Sequence, residues 1–446
     1  MRTVKLSSVL KLRTHKIKID DATNYKLVRI RLHRKGVTLR HEKKGAEIRT
    51  KTQQLCREGD FIVAEMDAKV GGYGFIPKSL EGAIVSSHYY LYEIDKKQLS
   101  PSFLNVICQA GILQDQIVAK GSTNYASVRA HTVLDWSIPL PSLAEQKHIA
   151  CQFEEVEAAN KELSAEITHQ RTLLGKLKQA ILQEAIQGKL TADWRAENPD
   201  VEPASELLKR IQTEKARLIA EKKIRKEKPL PKITPEEIPF EIPETWEWCR
   251  LGEVVWLMNG ATFASSHFQK ENGIKCVKIT NAGVQKFIET DDTLPSEFIE
   301  KYSNYRVFNG DIILALTRPY IADGLKISRC PKSYDGALLN QRVAAIRSVN
   351  QNFASGFVYL FLCSNFVLQG YQTEFDLKGQ QPNLKTSHIT HLRYPLPPLA
   401  EQTVIVERVE ALMATCRELE AEIERSSAYA AELLQAILKE AFAPAS

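Results

Sequence analysis

Apolar positions fall into two long helical patterns, each preceded by a stretch of short strand-like runs. In the first, Ile149, Phe153, Val156, Leu163, Ile167, Leu174, Leu177 and Ile181 recur at spacings near three, four and seven; in the second, Ile405, Val409, Leu412, Leu419, Ile423, Leu433 and Ile437 do the same. A narrow apolar seam between faces rich in Glu, Lys and Arg is coiled-coil-like. The helix-pairing candidates are therefore Leu143, Phe153, Val156, Leu163, Ile167, Leu177 and Ile181 in the first helix. In the second they are Leu399, Val409, Leu412, Leu419, Ile423, Leu433 and Ile437. Ser142-x-x-Glu145 can form a capping box, in which hydroxyl and carboxylate satisfy free amides at the helix start. Pro398 stands at the matching position of the second helix, which must enter on a rigid proline turn instead. Gly188 is a suitable stop for the first helix.

The two helices are copies of one another. Pro139-Leu-Pro-Ser-Leu-Ala-Glu-Gln146 returns as Pro395-Leu-Pro-Pro-Leu-Ala-Glu-Gln402. The same shift aligns Gln179-Ala-Ile-Leu-Gln-Glu-Ala185 with Gln435-Ala-Ile-Leu-Lys-Glu-Ala441, with 22 of 48 gap-free positions identical. The regions before the helices match more weakly but in order. Val28-Arg-Ile30 faces Val277-Lys-Ile279, Gly59-Asp-Phe-Ile-Val-Ala64 faces Gly310-Asp-Ile-Ile-Leu-Ala315, and Gly82-Ala-Ile-Val85 faces Gly336-Ala-Leu-Leu339. These β-branched and aromatic runs, broken by Gly, Asn and Pro, predict mixed α/β domains with irregular sheets. The expected class is α+β, two mixed α/β domains each followed by a long helix. The domain boundaries expected are 1–138 and 246–394 for the domains, 139–190 and 395–446 for the helices, and 191–245 for a basic helix with a stiff Pro-rich linker.

Composition narrows the function. The chain has 446 residues, 43% hydrophobic and 26% charged, which excludes wholesale disorder. No apolar run approaches the ~20 residues that cross a bilayer, and charge interrupts the first residues before a signal-peptide core can form. Eight cysteines without a Cys-x-x-Cys give neither a zinc framework nor a disulfide scaffold. The expectation is a soluble, cytoplasmic protein. The net charge of +6 is uneven, because residues 1–51 carry 16 Lys/Arg against four acids. Clustered cations of that kind displace counterions from nucleic acid, which points to a polyanion surface.

Catalytic signatures fail on inspection. Asp60, Asp67 and Lys69 mimic a nuclease constellation, yet the second copy continues Leu316-Thr-Arg318 without matching acids, so a turn before a buried strand explains Gly59-Asp60 better. Pro77 stands where a phosphate loop needs glycine in Gly72-x4-Pro77-Lys78-Ser79. Asn198-Pro199-Asp200 lacks the Pro-aromatic pair of an adenine methyltransferase motif, and no His cluster has metal-ligand spacing. No catalytic residues and no metal ligands are expected.

The paired Pro-Leu-Pro-x-Leu-Ala-Glu-Gln starts, the Gln-Ala-Ile-Leu-x-Glu-Ala ends, Trp246-x-Trp248-Cys-Arg-Leu-Gly252 and Gly310-Asp-Ile-Ile-Leu314 make the chain resemble specificity subunits of type I restriction–modification systems. The first domain lacks the Trp-x-Trp opening. The resemblance implies two target-recognition domains, each reading half of a split double-stranded DNA target, and helices packed as an antiparallel coiled coil. It also implies two methyltransferase (modification) subunits docked on the helices, with motor-nuclease (restriction) subunits joining them. S-adenosylmethionine, ATP and Mg would belong to those partners, and none to this chain. The alternative is a coiled-coil assembly scaffold without DNA specificity.

Duplex recognition needs cations for phosphates and polar side chains for base edges. The first-domain candidates are Arg29, Arg31, Arg34, Lys35, Arg40, Lys43, Lys44 and Lys69. In the second domain they are Lys275, Lys278, Thr280, Asn281, Arg318 and Tyr320, with Lys378, Gln380, Gln381, Asn383 and Lys385 around a polar loop. Asn340-Gln-Arg342 is similar, with a structural role as its other reading.

Overall fold

The computed structural model describes residues 2–117, 127–270, 272–321, 324–349, 355–375 and 383–442. The chain divides into two compact units, residues 1–170 with 422–446 and residues 171–421.

In the first unit, β1 (Arg2–Lys5) pairs antiparallel with β11 (Ser137–Leu140), so the domain's chain enters and leaves side by side just before the first long helix, Leu143–Ile186. Four strands form an antiparallel sheet in the order β2 (Leu10–Arg13), β10 (Tyr89–Ile94), β7 (Phe61–Ala64), β8 (Tyr73–Phe75). Both faces of β7 are buried, which is why it reads as a continuous apolar run rather than an alternating one. Phe61 and Val63 pack with Phe103, Leu104 and Ile107 of the helix Pro101–Ala110. Ile62 and Ala64 turn the other way, toward Val28 and Ile30. Those two belong to a five-stranded sheet ordered β3 (Lys16–Lys18), β6 (Thr52–Leu55), β9 (Ile84–Val85), β4 (Asn24–Ile30), β5 (Val37–Lys44).

The second unit repeats this plan. β12 (Glu247–Arg250) clasps β22 (Arg393–Leu396) just before the second long helix, Leu399–Ala441. Its sheet has the equivalent order, β13 (Val255–Asn259), β21 (Val343–Ser348), β16 (Ile312–Ala315), β19 (Ile327–Arg329). β14 (Ile274–Val277) lies between β15 (Thr293–Leu294) and β20 (Leu338–Leu339) and runs parallel to β20, as β4 does to β9. A short hairpin, β17 (Tyr320–Ile321) and β18 (Gly324–Leu325), follows β16.

The Gly-Asp turns explain themselves. Gly59 and Gly310 adopt φ of 81° and 89°, a left-handed conformation that side chains disfavour. The following aspartates each accept a backbone N–H three residues back, Arg57 at 2.8 Å and Phe308 at 2.7 Å. Each carboxylate also takes an arginine from another strand of the same sheet, Arg13 on Asp60 and Arg347 on Asp311. Both are strand-entry clamps.

In each long helix a row of positions at multiples of seven is buried. It comprises Gln146, Phe153, Ile167, Leu174 and Ile181 in the first, with Asn160 half-buried between, and Gln402, Val409, Cys416, Ile423 and Ala430 in the second. Within the second unit the helices run antiparallel, with Lys178 on Glu420 at 2.8 Å and Arg408 on the Leu190 carbonyl at 2.9 Å. In the first unit Phe442, at the end of the second helix, packs against the cluster that holds Ala150 and Phe153 near the start of the first. The pairing candidates divide accordingly. Phe153, Ile167, Ile181, Val409 and Ile423 are buried, and Val156, Leu399 and Ile437 are half-buried. Leu143, Leu163, Leu177, Leu412, Leu419 and Leu433 are instead 37–57% exposed, because a second row, offset from the first, faces outward.

The helix starts differ as Pro398 requires. Ser142 and Glu145 form the reciprocal capping box, the Ser142 N–H donating at 2.8 Å and the Glu145 N–H returning at 3.3 Å. Glu401, without a serine to cap, is fully buried and accepts from the Thr191 hydroxyl at 2.6 Å, from Trp246 Nε1 at 2.8 Å and from Arg195. Glu401→Ala should therefore destabilise the second unit by about 3–5 kcal/mol, since it strands a largely buried arginine. Glu145→Ala should cost far less, its carboxylate being solvated. Urea unfolding followed by tryptophan fluorescence compares the two.

Candidate nucleic-acid interface

The two ends of each four-stranded sheet differ. The clasp strands and the long helix attach where β2 starts and β10 ends. At the other end, β7 stops at Ala64 opposite Tyr89 of β10, and part of the polar candidates lie toward it.

In the first domain the gathering element is the β4–β5 hairpin at the sheet edge. Val28 and Ile30 turn into the core, so the alternation of a strand puts Arg29 and Arg31 on the outward face. Leu27 pairs with His41 and Val28 with Leu39, leaving Arg40 as the extra residue of a β-bulge, a device that re-aims a side chain. Arg29, Arg31, Lys35, Arg40 and Lys44 are exposed, while Lys43 is half-buried across from Tyr25. The turn docks on the β7–β8 connection through His33 N–H to Val70 O at 2.8 Å and Arg34 N–H to Gly71 O at 3.1 Å. That contact places the half-buried Lys69 beside the hairpin tip. Arg34 has a structural contact of its own. Its guanidinium donates to the Gln109 carbonyl at 2.7 Å and the Gln109 amide returns to Arg34 O at 3.1 Å, so this side chain anchors the tip.

In the second domain the candidates separate into two groups. Asn281 is fully buried: its Oδ1 accepts the Lys278 N–H at 2.7 Å and its Nδ2 donates to Ile288 O at 2.7 Å, beside Thr290 and Tyr334. It is a structural turn residue and cannot reach a duplex, which corrects that expectation. Lys278 pairs with Asp292 and lies 4.8 Å above the Phe268 ring, and Lys275 lies 4.5 Å above Tyr334 and 3.7 Å from Glu289. Thr280 stays exposed. Arg318, exposed with φ of 48°, follows β16 just before Tyr320. The fold brings this turn against Asn383 and Lys385, through a bridge from Thr317 to Asn383 and Leu384 N–H to Leu316 O at 2.7 Å. Lys378, Gln380 and Gln381 lie outside the described residues. Asn259, Thr262, Gln341, Arg342 and Thr386 reach the same end, and only long-range strand pairing reveals it.

Burial pushes the Cys56, Cys276, Cys330 and Cys363 thiols up to about 12, far from reactive thiolates. Among the described residues no His, Cys, Asp and Glu are grouped to hold a metal ion, and no helix is long and apolar enough to cross a membrane. Asp60 of the nuclease-like trio is committed to Arg13.

Each unit thus carries an antiparallel four-stranded sheet whose clasped end leads into a long helix and whose opposite end is left to loops. The family described as "Type I restriction modification DNA specificity domain" matches residues 1–170 and 243–426, and the chain belongs to it. The chain is 38% identical over 245 residues to the Type I restriction enzyme EcoAI specificity subunit of Escherichia coli, and 31% over 257 to the EcoEI specificity subunit. These matches cover 54% and 56% of this chain but only 40% and 42% of the relatives' lengths. A solved structure described as "Structural basis underlying complex assembly and conformational transition of the type I R-M system" shares the fold. It has a TM-score of 0.65 and 21% identity, covering 99% of this chain and 97% of the other.

Asn281→Ala should lower the stability of the second unit by about 1–3 kcal/mol, the cost of stranding buried polar groups. Chemical denaturation measures it, and an unperturbed midpoint would show that the amide does not hold the turn.

Proposed function

We propose that this chain is a non-catalytic DNA-specificity subunit that reads a bipartite double-stranded target, one half with each sheet domain. The observation that carries the reading is the repeated sheet whose clasped end feeds a helix, with the docked β4–β5 hairpin bearing Arg29, Arg31, Lys35 and Arg40 in one copy and the loops of Thr317, Arg318, Asn383 and Lys385 at the opposite end in the other. A two-stranded β-ribbon fits the major groove, and clustered cations supply the phosphate contacts.

The helices serve assembly. Leu163 and Leu177, with Leu412, Leu419 and Leu433, form outward apolar rows 39–57% exposed beside the filled seam. Rows of that kind on a long helix suit packing by helices of other chains. Two methyltransferase subunits are the proposed occupants, with motor-nuclease subunits joining the complex. S-adenosylmethionine, ATP and Mg act on those partners. The site of action is the cytoplasm. A scaffold without DNA specificity would use the same helices but leaves the docked, basic, bulged hairpin without a purpose.

Salt dependence tests the reading. Replacing Arg29, Arg31 and Arg40 by Ala together should weaken duplex binding. It should also flatten the log–log salt slope by about 0.9 for each arginine that touches phosphate. An unchanged slope would leave the hairpin as a solubilising face.

A further inference from the structure

Four loops of the second domain meet at the free end of its sheet, and backbone hydrogen bonds lock them together. β13 ends at Asn259, β21 starts at Val343 and β16 ends at Ala315, all at one level of the sheet. The 259–262 loop is tied to the 340–342 loop by Ala261 N–H to Leu339 O at 2.8 Å and Gln341 N–H to Ala261 O at 2.9 Å. The 340–342 loop is tied onward by Leu316 N–H to Arg342 O at 2.9 Å, and the 383–386 loop by Leu384 N–H to Leu316 O at 2.7 Å. Gly260 makes the approach feasible, because a Cβ there would lie 2.2 Å from the Asn340 carbonyl oxygen.

On this rigid base stand side chains whose chemistry is that of base recognition. The Thr262 hydroxyl donates to Gln341 Oε1 at 2.5 Å, orienting an exposed amide. Asn259 Nδ2 donates to the Thr386 hydroxyl at 3.3 Å. Arg342 is exposed, and its guanidinium has no carboxylate or carbonyl partner among the described residues. Arg347, five residues further on in β21, is by contrast consumed by Asp311 and the Arg306 carbonyl. An unpaired arginine beside an oriented glutamine matches the bidentate pairings available in the major groove, arginine with guanine O6/N7 and glutamine with adenine N6/N7.

We propose that Arg342 and Gln341 are the base-reading, specificity-determining residues of the second domain, Arg342 for a guanine and Gln341 for an adenine in its half of the target. This rests on the DNA-recognition reading and goes further, by separating base readers from the phosphate contacts of the basic hairpin. Held by locked loops, the pair loses little freedom on binding.

Selection by the full chain from a double-stranded library with randomised positions tests it. The wild-type chain should enrich a bipartite motif. Arg342→Ala and Arg342→Lys should each lose roughly tenfold to hundredfold preference at one base pair of one half, the worth of a bidentate contact. Gln341→Ala should do the same at a neighbouring pair, with the other half unchanged. Both side chains are exposed, so truncation leaves the core intact. If all three variants enrich the wild-type motif unaltered, or lose affinity uniformly at every position, the assignment is overturned while DNA recognition stands. A wild-type chain that enriches no sequence overturns both.

Discussion

The structure depends on where each domain's chain enters and leaves its sheet. The β1–β11 and β12–β22 pairs bring those two points together at one end, directly before a helix. A buried glutamine reinforces the junction. Gln146 accepts the Ser100 N–H at 2.8 Å and donates to Gln98 O at 2.8 Å and Pro141 O at 3.0 Å, and Gln402 donates to Pro397 O at 2.8 Å. With one end committed to the helix, every loop between β2 and β10, or between β13 and β21, that crosses the opposite end is free of that duty. Loops released from packing can vary in sequence without loss of the fold, which is where recognition residues concentrate.

The two copies show which features the architecture needs and which it can replace. Both keep the left-handed glycine, the aspartate that clamps the strand entry and the buried glutamine of the helix start. The arginine that answers the aspartate comes from β2 in one domain and β21 in the other, so the ion pair matters more than its source. The capping box exists only in the first copy. In the second, Pro398 releases Glu401 to bind Arg195, Thr191 and Trp246, which fastens the inter-repeat segment to the second helix. One substitution in a repeated motif thus converts a local cap into a long-range tie.

Much of this was legible in the sequence because the repeat is local and periodic. The helices, their near-equal starts, the Gly-Asp turns and the α+β class follow from patterns within a few residues. What was not legible depends on distant partners. Periodicity gives two leucine rows per helix but not which one a two-helix seam fills, so Leu163 and Leu419 read like Ile167 and Ile423. Asn281 looks like a surface amide until Tyr334 and Ile288 close over it. Arg34 looks like its basic neighbours until Gln109 takes its guanidinium. Asn259 and Thr386 carry no motif, and only strand pairing brings them beside Gln341 and Arg342.

The central claim is that each sheet domain reads its own half of one target. It is tested most directly by exchanging residues 246–394 for the matching domain of a relative and mapping the methylated sites in cells that carry the hybrid. The account predicts a bipartite motif in which one half changes and the other is kept. A motif altered in both halves, or the parental motif unaltered, would contradict it.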